Sequence, residues 1–117
     1  MRSIEDGLPL HAVDRAARHL APNDTQFKYR LISNATLNRR RARRRLSPIE
    51  GARLVRLMRL WRVALDLWQN DDEARRFLFR PHPMLEDQNP VEIAIRSEFG
   101  APLVFDILNQ LKYGSAV

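Results

Sequence analysis

Arg39, Arg40, Arg41, Arg43, Arg44 and Arg45 place six guanidinium groups within seven residues, the sharpest chemical signal in the chain. A guanidinium stays charged at any physiological pH, and its planar fork suits phosphate oxygens or, at one or two positions, the major-groove edge of guanine. Contact with about six phosphates predicts a log–log slope of affinity against salt near −5. The same run would also keep an exposed helix soluble, or pair with acidic segments elsewhere, and charge alone leaves these readings open. Arg53, Arg56, Arg59 and Arg62 recur every three residues, so they wind around a helix. They read as solvated groups or as partners of acids such as Asp66, four residues after Arg62.

No other constellation is coherent. Trp61 and Trp68 fall at helical spacing among leucines, which makes them core rather than a ligand platform. Asp71, Asp72 and Glu73 have the count of a metal cluster, yet acids at a helix start need no ion. His11, His19 and His82 are isolated from one another, and no Ser/His/Asp set or glycine-rich phosphate loop stands out. An enzyme is therefore not expected, nor a cofactor or metal.

The elements that must position the arginines are helices, and the expected fold class is all-α. Leu10, Val13, Ala17 and Leu20 give one face of a first helix, broken at Pro22-Asn23-Asp24. Residues 25–32 alternate apolar and polar as a strand would, but nothing else in the chain could pair with it, so a short helix over about 23–31 is expected. Ser33 is an N-cap for a helix over residues 34–45 anchored by Leu37. Helix, turn at Ile32-Ser33 and second helix then have the spacing of a helix-turn-helix unit. Ser47, Pro48 and Glu50 form a capping box that opens a long helix to about Gln69, with Leu54, Leu57, Met58, Trp61, Leu65 and Trp68 in one stripe widened by Val55 and Val63. Asn70 starts a short helix to Arg80, Pro81-His82-Pro83 stops it, and a loop over 84–88 follows. Asn89-Pro90 starts another through about Arg96, and Ser97 caps a last one that ends near Lys112.

At 117 residues the chain is long enough for one domain or two small halves sharing a core. The expected division is a basic helix-turn-helix-like region at 1–46 and a spine helix with a binding region at 47–117. Net charge is +6, but twelve bases and one acid between 28 and 62 give +11, leaving −5 over the rest. That polarity points to a polyanion or an acidic partner surface near the middle. With no cysteine, disulfides and thiolate chemistry are excluded. No uncharged stretch approaches the ~20 residues of a membrane span, and residues 1–6 lack a signal-peptide character, so a cytoplasmic protein is expected.

The order of motifs resembles a known family. Ile32-Ser33-Asn34-Ala35-Thr36-Leu37 with the arginine cluster, and Leu46-Ser47-Pro48 followed by Arg56, Leu57 and Arg59, are similar to the central region of the Xre/MbcA/ParS antitoxins. Asp72-Glu73-Ala74, Phe77-Leu78, Arg80-Pro81-His82-Pro83-Met84-Leu85, Asn89-Pro90, Glu98-Phe99-Gly100 and Tyr113-Gly114 resemble that family's toxin-binding region, so the likeness spans about residues 23–117. It implies an antitoxin of a type II toxin–antitoxin system whose partner is a RES-domain toxin that degrades NAD or transfers its ADP-ribose. The antitoxin would block the toxin's NAD pocket. By position Lys112, Tyr113, Gly114 and Val117 would be the tail elements near that pocket, with Met84, Leu85 and Glu98 on the supporting surface. Operator DNA would fall to Thr36, Arg39, Arg40, Arg41 and Arg43, and self-association as a homodimer is implied too. Two departures stand out: Glu86 and Asp87 occupy positions where many members carry glycine, and the region ahead of the arginines is short. The residues alone leave two rivals, a stand-alone basic helix-turn-helix regulator and an adaptor for an acidic protein.

Overall fold

The computed structural model describes residues 8–42, 44–96 and 101–112, without the side chains at 101, 111 and 112. Among these residues all regular structure is helical: α1 (His11–Leu20), α2 (Lys28–Leu31), α3 (Asn34–Arg40), α4 (Pro48–Trp68), α5 (Asp71–Phe79), a 3-10 turn (Pro83–Leu85), α6 (Pro90–Arg96) and α7 (Ala101–Lys112). β pairing is limited there to isolated bridges, Pro9 to Arg45 and His82 to Gln88. The expected all-α class is what forms. The chain divides into two compact units between Val55 and Arg56, and α4 contributes residues to both.

In the first unit, Val13, Ala16, Ala17 and Leu20 of α1 are buried, as are Phe27, Leu31, Ile32, Leu37, Leu46 and Leu54. Each large side chain among them contributes about 1.5–3 kcal/mol of burial free energy. The helix expected over 23–31 shrinks to α2. Asp24 is spent on turns: its Oδ1 accepts from Gln26 N (2.9 Å) and its carbonyl accepts from Phe27 N (3.2 Å). Lys28 Nζ reaches Asp14 Oδ1 at 3.2 Å and ties α2 to α1. Ser33 caps α3 as expected, its Oγ accepting from Thr36 N at 3.1 Å.

The helix predicted to run to Arg45 ends at Arg40. Arg44 adopts φ 58°, the left-handed conformation that terminates helices, and its N–H closes on Arg40 O at 2.8 Å. The chain then straightens into the Pro9–Arg45 bridge and Leu46 N donates to Leu8 O at 2.8 Å. Arginine propensity favours helix, but these backbone bonds and the need to reach the next N-cap at Ser47 override it. The capping box itself forms: Ser47 N donates to Glu50 Oε1 (2.8 Å) and Glu50 N to Ser47 Oγ (3.3 Å).

In the second unit, Leu57, Leu60, Trp61 and Ala64 of α4 are buried, with Ala74, Phe77 and Leu78 of α5, Leu85, Val91, Ala94 and Ile95, and Val104, Ile107 and Leu108 of α7. Leu54, Leu57 and Trp61 of the expected stripe are buried, and the buried face widens on one side only. Leu60 and Ala64 are in the core, whereas Trp68 and, in the first unit, Val55 are exposed. Gln69 turns left-handed (φ 56°) to end α4, and Asn70 Oδ1 caps α5 by accepting from Glu73 N at 2.9 Å. Asn89 Oδ1 caps α6 the same way through Glu92 N at 2.7 Å. The segment 84–88 is not an open loop. His82 organises it, its backbone O accepting from Leu85 N and Asp87 N and its N–H donating to Gln88 O, while its ring packs on Phe77 with centroids 4.6 Å apart. Ser97, expected to cap the last helix, and Phe99 lie outside the described residues.

Candidate functional site

Two surfaces carry the residues that the sequence singled out, one in each unit. In the first, α3 buries Leu37 and turns Ala35, Asn38 and Arg39 to solvent. Arg39 Nη2 donates to Thr36 Oγ1 (3.2 Å), whose oxygen also meets Ser33 Oγ (2.8 Å), so the first turn of α3 is a small hydroxyl relay that leans Arg39 along the helix. Arg41 and Arg44 are exposed, and Arg43 lies outside the described residues.

Arg40 stands apart from its neighbours. Its Nε and Nη2 grip Glu50 Oε1 and Oε2 at 3.1 and 3.3 Å, a two-pronged pair with the Arg40 side chain 26% and the Glu50 side chain 14% exposed. Burial alone would raise the Glu50 carboxyl, but hydrogen bonds from Arg40 and from Ser47 hold it below the usual carboxylate range. The C-terminal end of α3 is thereby fixed to the first turn of α4.

Of the four arginines of α4, Arg59 and Arg62 are exposed as spacing suggested, but Arg53 and Arg56 are not simply solvated. Arg53 Nη1 donates to Leu31 O (2.8 Å), a carbonyl at the C-terminal end of α2. Arg56 Nε and Nη2 both donate to Ala94 O (3.2 and 3.0 Å), near the end of α6. Each guanidinium satisfies one of the orphan carbonyls that a short helix leaves at its end. Arg59 lies over the Phe105 ring, 4.9 Å from its centroid. A period of three marks winding; it carries no sign that successive turns meet different helix ends.

The second surface is an open depression of about 380 Å³ lined by Met84, Leu85, Glu86, Gln88, Ile93, Arg96 and Leu103. Met84 (63% exposed) and Leu103 (50%) present apolar side chains at it, whereas Leu85 (4%) is buried and supports it from beneath. Glu86 and Asp87 are left-handed, with φ 56° and 60°, and hold the turn between Leu85 and Gln88. That explains why glycine suits these two positions. The side chain of Lys112 and all of Glu98, Tyr113, Gly114 and Val117 lie outside what is described.

Elsewhere the acids at the start of α5 pair with arginines one turn on, Asp71 and Asp72 with Arg75, and Glu73 with Arg76. Among the described residues no group of three His, Cys, Asp or Glu could hold a metal ion, and no helix is long and apolar enough to cross a membrane.

A helix-turn-helix unit with a basic outer face, followed by a separate helical unit with an exposed apolar depression, describes a protein that binds two unlike partners. Comparison with protein families agrees with both halves. Residues 1–59 match the antitoxin Xre-like helix-turn-helix domain, and residues 63–114 match the antitoxin Xre/MbcA/ParS C-terminal toxin-binding domain. The chain belongs to the Xre/MbcA/ParS antitoxins: it is an antitoxin with a DNA-binding half and a toxin-binding half. No curated protein is significantly similar to it.

Proposed function

We propose that the protein neutralises a RES-domain toxin that consumes NAD or transfers its ADP-ribose, and that it does so by covering the toxin's NAD pocket. The single observation that carries this reading is the match of residues 63–114 to a toxin-binding domain, in a unit whose exposed apolar depression offers a docking surface. Met84 contacts the toxin directly and Leu85 keeps the turn in place, while Glu98, Lys112, Tyr113, Gly114 and Val117 belong to the segments that approach the pocket. The antitoxin contributes no bond-making of its own. Inhibition is steric, and it lasts as long as the complex does.

The same chain represses its own promoter. Thr36, Arg39, Arg41 and Arg43 supply the contacts of residues 1–46 to operator DNA, with Arg40 beside them, and a homodimer in the cytoplasm presents two such units to a two-fold operator. Residues 47–117 serve the toxin.

The test is co-expression with the toxin-sized reading frame next to its gene. Full-length protein should restore growth, co-purify with the toxin and suppress NAD loss, whereas a chain lacking residues 112–117 should fold and fail to protect. Full protection by that truncated chain, or a neighbouring toxin whose activity does not involve NAD, would refute the reading.

A further inference from the structure

The outer edge of α3 holds a residue that the arginine run obscures. At about 100° per residue, Ala35 and Arg39 lie opposite the buried Leu37 and Asn38 lies on the flank beside Ala35, all three exposed. The other flanking polar side chains are engaged: Thr36 in the hydroxyl relay with Ser33 and Arg39, and Arg40 on Glu50. Asn38 is different. Among the described residues no hydrogen bond occupies its carboxamide, although asparagine inside a helix is less favourable than alanine by about 0.6 kcal/mol. Helix stability gives no reason for it to be there.

We propose that Asn38 is the base-reading residue of this helix, its carboxamide accepting from N6 and donating to N7 of an adenine in the major groove of duplex DNA, with Arg39 reading a neighbouring guanine. This rests on the DNA-binding reading of the N-terminal half. A carboxamide carries one acceptor and one donor side by side, the complement of adenine's major-groove edge, and no other base presents that pair. Asparagine is short, so the helix must come close to the groove floor. Ala35, one turn before it, carries only a methyl and permits that approach, and the same methyl can lie on thymine C5.

Arg40 is a positioning residue in this scheme. Its grip on Glu50 spans α3 and the first turn of α4, and swinging it into the groove would break that pair together with the contacts Glu50 shares with the Ser47 cap. It orients the helix that Asn38 and Arg39 read from.

The full-length protein, presented with a library of duplexes carrying a randomised central segment, tests this. Wild-type protein should enrich a motif with a fixed A·T pair beside a fixed G·C pair. Asn38→Ala should lower discrimination at the A·T pair by roughly 10- to 100-fold while retaining helicity by circular dichroism, and Asn38→Asp, of the same size, should do likewise. Arg39→Ala should relax the G·C pair. Arg40→Gln should weaken binding to every duplex with the motif unchanged. Replacing the fixed adenine by 7-deazaadenine should weaken wild-type binding and leave the Asn38→Ala protein unaffected. An Asn38→Ala protein that selects the wild-type motif overturns the proposal and leaves DNA binding standing. Failure of the wild-type protein to enrich any duplex overturns the DNA-binding reading and the proposal with it.

Discussion

Each unit ends one of its short helices on an arginine from the long helix α4, and the two junctions differ. In the DNA-binding half, Arg53 gives a single N–H to Leu31 O, and its own Nε is buried without a partner. In the toxin-binding half, Arg56 places two N–H groups on Ala94 O. A charged donor on a carbonyl contributes about 1.5–3 kcal/mol, and a buried N–H left unmade subtracts from that. The first half thus holds α2 by a weaker brace and α3 by the Arg40–Glu50 pair, and the second is braced more fully from α4. One residue type, three positions apart on one helix, does different work according to the helix end it meets.

That contrast can be broken by substitution. Arg56→Ala should have the largest effect, destabilising the protein by about 2–3 kcal/mol and raising amide exchange chiefly in α6. Arg53→Ala should cost about 1–2 kcal/mol, with faster exchange confined to α2 and α3. Exchange rising equally in both halves for either variant would dissolve the distinction. Chemical denaturation gives the magnitudes and hydrogen exchange the location.

Glu50 sharpens the same comparison through pH. Its folded carboxyl titrates below its ordinary value, so the stability it contributes is complete above the unfolded carboxyl's titration and is lost as pH falls through the folded one. Melting followed from pH 7 down to pH 3 should show the wild-type margin over Glu50→Gln shrinking in the acid range. A margin that does not change with pH would mean the carboxylate charge plays no part. The smallest effect is expected in the other half. Glu86→Gly, relieving a left-handed residue at φ 56°, should raise stability by up to about 1 kcal/mol, partly offset by the greater freedom of glycine in the unfolded chain.

Four of the helix starts were legible in the sequence because they rest on side chains acting within one helical turn, whereas Asp24 went to a turn instead. The caps at Ser33, Ser47, Asn70 and Asn89 all formed, because each needs only residues three positions away. The all-α class followed from the same signals. The end of α3 was not legible: what stops it is a backbone bond from Leu46 to Leu8, distant in sequence, and a left-handed arginine where glycine is the usual sign. Nor were the roles of Arg53 and Arg56, whose acceptors lie 22 and 38 residues away. In the candidate sites, the arginine run announced a basic face, but charge count could not separate Arg40, bound to Glu50, from the exposed Arg39 and Arg41. Asn38, the proposed base reader, was hidden because a lone asparagine among arginines carries no pattern until its neighbours Thr36 and Arg40 are seen to be engaged. Glu86 and Asp87 stood out as departures from glycine, and their backbone angles supply the reason.

The most direct test of the proposal that one half holds a toxin and the other an operator is a paired assay on a double variant, Arg39→Ala with Arg41→Ala. Growth rescue against the neighbouring toxin and repression of a reporter driven by the chain's own promoter are read side by side. Full rescue with lost repression is the predicted result. Loss of rescue by this folded double variant, or repression left intact, would contradict the division of labour between the two halves.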